Sequence, residues 1–276
     1  MKYDRTVAKI MNIVVCIKQV PDAVGIRIDR KRMTIIREGV ESVINPLDYV
    51  ALEAALILRE KLGGSVTILT MGPLQSEAAL RETLAMGANR ALLLSDAAFA
   101  GADTLATSLV LAAAIKRLDP FPDLILCGKH TTDSDTGHVG PQLAEGLDLP
   151  QACGVHDIHP QDDALLVKRV SDGFEETLKV PLPALLTVTH DFCAVRDLPL
   201  GDLETAFSRK TVTRWGLQDL GLAASEVGLT GSATQVRTLH PPPPREGGKR
   251  LEGSPEELVD GLIRKLEDMS ILDEES

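Results

Sequence analysis

Short apolar runs alternate with longer segments of helical periodicity over the first two thirds of the chain. The runs occupy residues 12–17, 66–71, 91–94, 123–127 and 184–188. They are rich in Val, Ile and Leu and lack polar alternation, which is typical of strands buried on both faces of a parallel sheet. The pattern predicts an α/β fold with a doubly wound, mostly parallel sheet that binds its ligand at the carboxyl ends of the strands.

Four helices are predicted between these runs. The first begins at Asn45-Pro46-Leu47-Asp48, where the order of a capping residue, a proline and an acid is typical of a helix start. The others are predicted over residues 76–86, 103–118 and 141–147, with Asp103 capping the third helix.

The last third of the chain has a different pattern of apolar and polar residues. Beyond Thr187 the alternation ends, and four consecutive prolines at 241–244 predict an extended segment. Ser254-Pro255-Glu256-Glu257 has the form of a capping box and predicts a terminal helix. We therefore expect an α/β nucleotide-binding domain over residues 11–190, followed over 191–276 by a partner-docking loop and an extended C-terminal arm with a helix.

The terminal helix has an apolar stripe that needs a partner surface. Its members are spaced for one helical face and are Leu258, Leu262, Leu266 and Met269. The stripe either folds back on its own domain or packs against a partner subunit.

Composition narrows the class of protein. Forty acidic residues against 29 basic ones give a net charge of −11, and aromatic residues make up 3% of the chain. Nucleic acids and anionic membranes attract basic surfaces, so both are excluded as partners. No apolar run approaches the roughly 18 residues of a membrane-spanning helix. We expect a soluble cytoplasmic protein, with residues 1–10 before Met11 as a leader.

The cysteines predict no metal site. Cys16, Cys127, Cys153 and Cys193 are far apart in sequence and include no close pair. Cys16 and Cys127 lie in or beside predicted strands, where a free thiol behaves as a small apolar residue.

The segment 128–141 is the strongest ligand-binding candidate because it joins a predicted strand to a predicted helix. Gly137 and Gly140 permit close backbone approach, and the N–H groups of a helix start bind phosphate. Its hydroxyl groups belong to Thr131, Thr132, Ser134 and Thr136, and its carboxylates to Asp133 and Asp135. The carboxylates either bind ribose or cap the helix, and a plain polar turn is the alternative.

A second candidate is the segment 99–108, which again leads into a helix, at Asp103. The glycine-rich fingerprints GxGxxG and GxxxxGK[ST] are absent from the chain, and so are GxSxG and HExxH. No nucleophile with a matching base is apparent, so we predict no catalytic side chain.

Several motifs occur in an order that is specific to one family. They are NIVVCIKQVPD at 12–22, INPLD at 44–48, TMGP at 70–73, LAMGA at 84–88, the segment 128–141, VKRVSDGFEETL at 167–178 and PALLT at 183–187. Together they resemble the β subunit of electron transfer flavoprotein, a family that includes the FixA proteins. The resemblance covers residues 11–276.

This resemblance implies a heterodimer whose α subunit carries an electron-transferring FAD. The β subunit would hold a second adenine nucleotide: structural AMP in one branch, or in the electron-bifurcating branch a second FAD that takes a hydride from NADH. By motif, the pocket would use Cys16, Asn45, Pro46, Leu47, Asp48, Met71, Gly128, Lys129, His130, Thr131, Thr132, Asp133, Ser134, Asp135, Thr136, Gly137, His138 and Val139.

The loop sequence favours FAD. DSDTGHVGP at 133–141 resembles the D-G-D-T-x-Q-V-G-P of the FAD branch more than the D-x-D-x-x-Q-T-G-Q of the AMP branch. Ser134 and His138 depart from that pattern, where glycine and glutamine are usual. The segment 101–108 also resembles the FAD branch, which adds Asp103 and Thr104 to the expected cofactor contacts. AMP remains the alternative.

The family resemblance also implies a docking residue for acyl-CoA dehydrogenases. Leu200 falls near the position of the leucine anchor of that loop. The following segment 204–210 has fewer basic residues than is usual, so another redox partner is the alternative.

Overall fold

A computed structural model describes residues 10–22, 27–29, 34–36, 42–238, 247–248 and 250–271. The chain divides into two compact units, Met1–Arg237 and Thr238–Ser276. The structural boundary thus follows Arg237, whereas the expected functional boundary follows residue 190. The four prolines at 241–244 and most of the expected leader lie outside the described residues.

The described strands all belong to the first unit. They are β1 Met11–Cys16, β2 Gln19–Pro21, β3 Arg27–Asp29, β4 Thr34–Ile36, β5 Ser42–Ile44, β6 Gly64–Met71, β7 Arg90–Leu94, β8 Leu124–Gly128, β9 Gln151–Gln161, β10 Ala164–Ser171, β11 Phe174–Pro181, β12 Ala184–Val188 and β13 Thr213–Trp215. Each apolar run of the sequence corresponds to one of these strands.

The described helices are distributed over both units. Those of the first unit are α1 Pro46–Leu62, α2 Glu77–Ala85, α3 Thr104–Lys116, α4 Val139–Leu147, α5 Leu200–Arg209, α6 Leu217–Leu220 and α7 Gly228–Gly231. The second unit contains α8 Pro255–Asp268, whose capping box is confirmed. There the Ser254 Oγ accepts the N–H of Glu257, and the Glu257 carboxylate accepts the N–H of Ser254.

The central sheet of the described residues has nine strands in the order β11-β10-β9-β12-β8-β1-β6-β7-β13. From β9 through β13 at the far edge, neighbouring strands in this order are parallel, whereas β9, β10 and β11 form an antiparallel meander. The chain builds outward from β1 to β6 and β7, and then returns to β8 on the other side of β1. The strand order therefore reverses between β1 and β8, which is where open α/β sheets place ligands.

Helices cover both faces of the sheet, as predicted. Alternate residues of β1 point to opposite faces: Ile13 and Val15 pack with α1 and α2, and Val14 and Cys16 pack with α3 and α4. The buried runs of the sequence thus supply two apolar cores, one on each side of a single sheet.

Sequence periodicity did not predict the meander, β13 or α5. The strands β10 and β11 contain both polar and apolar residues, and they are partly exposed, so they lack the unbroken apolar run of a buried strand. In the structure β13 extends the sheet by pairing with β7, and α5 packs on α2, so these elements belong to the first compact unit.

The helix α4 lies close to the sheet, with Gly140 directly over Thr187. Glycine permits this close approach because it has no side chain. A Cβ at Gly140 would lie 2.5 Å from Thr187 Cγ2. Thr187 is buried and its Oγ1 accepts the N–H of Gly154 at 3.0 Å, so the side chain cannot turn away without losing that bond.

We expect Gly140→Ala to lower the free energy of unfolding by about 1–3 kcal/mol through overpacking. Gly146→Ala in the same helix is the matched control, since its Cβ would make ordinary contact with the Ala112 Cβ at 3.6 Å. This control should raise the free energy of unfolding by about 0.5–1 kcal/mol because alanine favours helix. Urea denaturation followed by circular dichroism measures both, and equal effects of the two changes would contradict the packing argument.

Candidate functional site

The loop between β8 and α4, residues 128–139, lies at the carboxyl ends of the parallel strands. It begins at Gly128, the last residue of β8, and ends where α4 begins at Val139. Strand β1 is the neighbour of β8, and Lys18 follows its end by two residues. The 128–139 loop therefore flanks the point where the strand order reverses.

Asn45 holds the loop. It is the N-cap residue of α1, as predicted, but its side chain makes no capping bond. Instead, its Nδ2 donates to the carbonyl of His130 at 3.0 Å, and its Oδ1 accepts the N–H of Thr132 at 3.2 Å. The side chain is fully buried, so its amide is committed to the loop.

Asp48 joins three elements through one buried carboxylate. It lies in the first turn of α1 and accepts the N–H of Lys18 at 2.7 Å and the N–H of Gly128 at 3.1 Å. Burial raises the pKa of Asp48 to about 7, although the hydrogen bonds from Lys18, Asn45 and Gly128 oppose the rise.

Gly128 is required by this close approach. A Cβ at this position would lie 2.4 Å from Asp48 Oδ1 and 2.8 Å from Leu47 Cβ. Leu47 and Asp48 are buried, whereas Pro46, the first residue of α1, is exposed. The predicted residues 45–48 and 128 thus meet in space, with Pro46 at the edge of the group.

Lys18 is a residue of this site that sequence reasoning missed. Its Nζ donates to both carboxylate oxygens of Asp133, at 2.9 Å and 2.7 Å. Asp133 also accepts the hydroxyl of Thr131 at 2.7 Å, and Thr131 Oγ1 lies 3.0 Å from Ser134 Oγ. Burial alone would raise the pKa of Asp133, but Lys18 and Thr131 lower it below its usual value. The position of Lys18 just beyond a predicted strand was the available signal.

The middle of the 128–139 loop makes a tight turn. The N–H of Asp135 donates to the carbonyl of Thr131 at 2.8 Å, and Asp135 and Gly137 have left-handed φ values of 51° and 65°. The His130 Nδ1 lies 2.7 Å from Asp135 Oδ1 without the geometry of a hydrogen bond. Within the described residues this buried nitrogen therefore has no hydrogen-bond partner, and neither has Gln142 Oε1 on α4.

The start of α4 is open to a polar ligand. His138 is at the N-cap position and makes no side-chain capping bond, so neither Asp133 nor Asp135 caps this helix. Uncapped N–H groups and the exposed Lys129, Thr132, Ser134 and Thr136 can bind a nucleotide, and so can the buried Gln142 Oε1, which has no hydrogen-bond partner among the described residues. The residues present therefore fit such a ligand, and each contact stays a prediction.

Cys16 and Met71 lie at the carboxyl ends of β1 and β6, at the same edge of the parallel strands as the 128–139 loop. Cys16 is paired in register with Cys127 of β8, and both free thiols are buried, as predicted. A hydrogen bond with Cys16, together with burial, raises the pKa of the Cys127 thiol. Met71 ends β6 and is half-buried against the core on the side of α3 and α4.

Asp103 caps α3, as predicted, and its carboxylate already accepts three hydrogen bonds. One oxygen accepts the N–H of Ala106 at 2.9 Å, and the other accepts the N–H and the hydroxyl of Thr234 at 2.8 Å and 3.0 Å. Its own N–H donates to Ser232 Oγ at 2.8 Å. Thr104 is half-exposed beside it. A cofactor contact by Asp103 and Thr104 stays a prediction.

The helix α5 presents two exposed apolar side chains. Leu200 at its start is 82% exposed, and Phe207 near its end is about half-exposed. Arg81 of α2 donates to the carbonyls of Ala206, Phe207 and Lys210, which fixes the C-terminal end of α5. The Lys210 ammonium donates to the carbonyl of Leu84 at 2.6 Å, which commits this basic group to the fold.

The described part of the chain contains neither a candidate metal-binding cluster nor a candidate membrane-spanning helix. No three His, Cys, Asp or Glu side chains there form a group that could hold a metal ion. None of the helices found there is both long enough and apolar enough to cross a membrane.

Comparison with known proteins identifies the family. Residues 32–219 match the electron transfer flavoprotein domain. The chain belongs to the electron transfer flavoprotein family. It is 43% identical, over 95% of its length and all of the relative, to the electron transfer flavoprotein subunit beta of Thermoanaerobacterium thermosaccharolyticum. The resemblance drawn from the motifs is thereby confirmed.

Two further relatives of the electron transfer flavoprotein family have more specific names. The caffeyl-CoA reductase-Etf complex subunit CarD of Acetobacterium woodii is 43% identical over 95% of this chain and all of the relative. Protein FixA of Rhizobium meliloti is 44% identical over 92% of this chain and 90% of the relative. Near full-length similarity places the chain on the β-subunit and FixA side of the family.

The raised pKa of Asp48 predicts a pH dependence of stability. Its pKa is about 7 in the folded protein and near 3.8 when unfolded. Between these values only the folded state retains the proton, so the contribution of Asp48 to stability is complete below about pH 4. That contribution falls as the pH rises through 7. The free energy of unfolding of the wild type, minus that of Asp48→Asn, should therefore decrease between pH 4 and pH 8.

Urea denaturation at a series of pH values measures this difference. Asp162→Asn is the control for loss of a carboxylate, since Asp162 is exposed in a turn with φ of 40°, a conformation that asparagine tolerates. The control should retain the wild-type slope. A wild-type-minus-Asp48→Asn difference that stays constant across this range would contradict titration of Asp48.

Proposed function

We propose that this chain is the β subunit of a heterodimeric electron transfer flavoprotein. In this proposal it binds an adenine nucleotide at the 128–139 loop and the start of α4. The complex passes electrons between a dehydrogenase and a further acceptor. The observation that carries the proposal is the fixed position of this loop where the strand order reverses. Asn45, Asp48 and Lys18 hold it there, while the N–H groups of the α4 start stay uncapped.

We propose FAD as the nucleotide. The support is the sequence DSDTGHVGP at 133–141, which resembles the FAD branch of the family. FAD in this subunit would accept a hydride from NADH, and electron bifurcation would then follow in the complex with partners. In the alternative function the chain binds AMP as a scaffold, and the only redox flavin is that of the α subunit.

The scarcity of aromatic residues bears on how a flavin would be held. Only 3% of the residues in the chain are aromatic, so few side chains are available to stack on a flavin ring. Backbone N–H groups, hydroxyls and the His130 imidazole would supply the contacts instead. This matches the donor set of the 128–139 loop.

The proposed partners are the α subunit and an acyl-CoA dehydrogenase or another redox protein, in the cytoplasm. Leu200 is the docking residue of the proposal because it is exposed at the start of a helix whose other end is fixed. An apolar side chain of this kind gains binding energy when a partner pocket removes it from water.

Analysis of bound nucleotides tests the proposal. The chain, purified with its α subunit, should release a second FAD in addition to the FAD of the α subunit when the complex is denatured. Chromatography of the released nucleotides with mass spectrometry makes the measurement. Release of AMP together with a single FAD would support the scaffold function, and release of neither extra nucleotide would contradict the proposed site.

Truncation of Leu200 tests docking. Leu200→Ala should lower kcat/KM for electron transfer from an acyl-CoA dehydrogenase of the same organism about tenfold, because a buried interface leucine contributes about 1–2 kcal/mol. The control is Leu109→Ala, an exposed leucine on α3, which covers the opposite face of the sheet. Stopped-flow kinetics measures both variants, and an equal loss in the two would remove Leu200 from the docking surface.

A further inference from the structure

Lys18 spans the crevice between β1 and β8. Its backbone is fixed on the β1 side, where its N–H donates to Asp48 at 2.7 Å and its carbonyl accepts the N–H of Asn45 at 2.9 Å. Its ammonium reaches across to Asp133, which lies in the loop that follows β8. The backbone of Lys18 is therefore fixed on one side of the crevice, and its ammonium pairs with Asp133 on the other side.

Asp133 depends on this ion pair for its charge. Its side chain is 16% exposed, whereas that of Lys18 is 44% exposed. An ionised carboxylate that has lost most of its hydration requires a counter-charge and hydrogen bonds. Lys18 provides the counter-charge, and Thr131 adds a hydroxyl at 2.7 Å.

Two sets of side-chain contacts thus hold different parts of the loop. Asn45 binds the first part, at His130 and Thr132, through a fully buried amide. Lys18 binds the tip, at Asp133. Loss of the contact between Lys18 and Asp133 would leave the first part of the loop in place and release the tip.

We propose that Lys18 is a positioning residue, which holds the tip of the 128–139 loop in the nucleotide-binding conformation by pairing with Asp133 across the crevice. This inference rests on the proposed function and adds a residue to that site. Lys18 acts through Asp133 and is not itself the ligand of a phosphate group.

The charge balance supports positioning over direct phosphate binding. Transfer of the ammonium from Asp133 to a phosphate would leave a mostly buried carboxylate without its counter-charge. The pair is neutral as it stands, and a carboxylate has more acceptor positions than the three bonds in use here. The part of the nucleotide that reaches the tip should therefore carry hydroxyl groups.

Hydrogen exchange tests the positioning role without any nucleotide. In the heterodimer stripped of nucleotide, Lys18→Met and Asp133→Asn should each raise exchange of the amides of residues 131–136 about tenfold, as expected for loss of a charged hydrogen bond. Lys18→Arg should restore near wild-type exchange. Lys168→Met is the control, since Lys168 faces Glu175 at 3.9 Å on the meander. Unchanged exchange in both crevice variants would overturn the proposal.

Nucleotide dissociation supplies the second readout. Lys18→Met, Asp133→Asn and the double variant should each release nucleotide about tenfold faster, without additivity, because they break one contact. If Asp133→Asn instead retained nucleotide more tightly while Lys18→Met lost it, Lys18 would be a direct phosphate ligand and the proposal would be wrong. Absence of nucleotide from the wild type would contradict the proposed function, and the exchange result would still decide the role of Lys18.

Discussion

The buried carboxylate of Asp48 is the interaction on which the geometry of the site depends. It is attached to the first turn of α1 and accepts one N–H from the end of β1 and another from the end of β8. Three elements distant in sequence are thereby fixed within hydrogen-bonding distance of one group. The cost is desolvation, which is visible in the raised pKa of Asp48, and a glycine is required at 128 to admit the carboxylate.

The sequence predicts the layers of this fold better than its connections. Unbroken apolar runs such as β1 and β12 identify buried parallel strands, because both faces of these strands meet helices. The meander was not predicted because partly exposed strands lack an unbroken apolar run. Asn45 was assigned to helix capping on local grounds, whereas its partners are 85 and 87 residues away in sequence. Lys18 was missed because its partner is 115 residues away.

The two loops proposed for the nucleotide are held in different ways. The 128–139 loop is fastened by side chains from elsewhere, so its own hydroxyls and the start of α4 remain available. At the start of α3, residues of the chain itself already bind Asp103. Ser232 accepts the N–H of Asp103, and Thr234 donates to its carboxylate. A ligand can therefore approach the first loop without breaking the bonds that hold it, whereas the Asp103 carboxylate already accepts three hydrogen bonds from Ala106 and Thr234.

The helix α1 connects the proposed nucleotide site with α5, the proposed docking helix. Its start carries Asn45 and Asp48, and five residues beyond Asp48 the buried Glu53 accepts both side-chain and backbone N–H groups of Arg196. Arg196 lies four residues before Leu200, and Arg81 fixes the other end of α5. The proposed nucleotide site and the proposed docking helix are thus both attached to one buried helix, α1. Its contacts with Gly128 and Arg196 hold the two regions at a fixed separation.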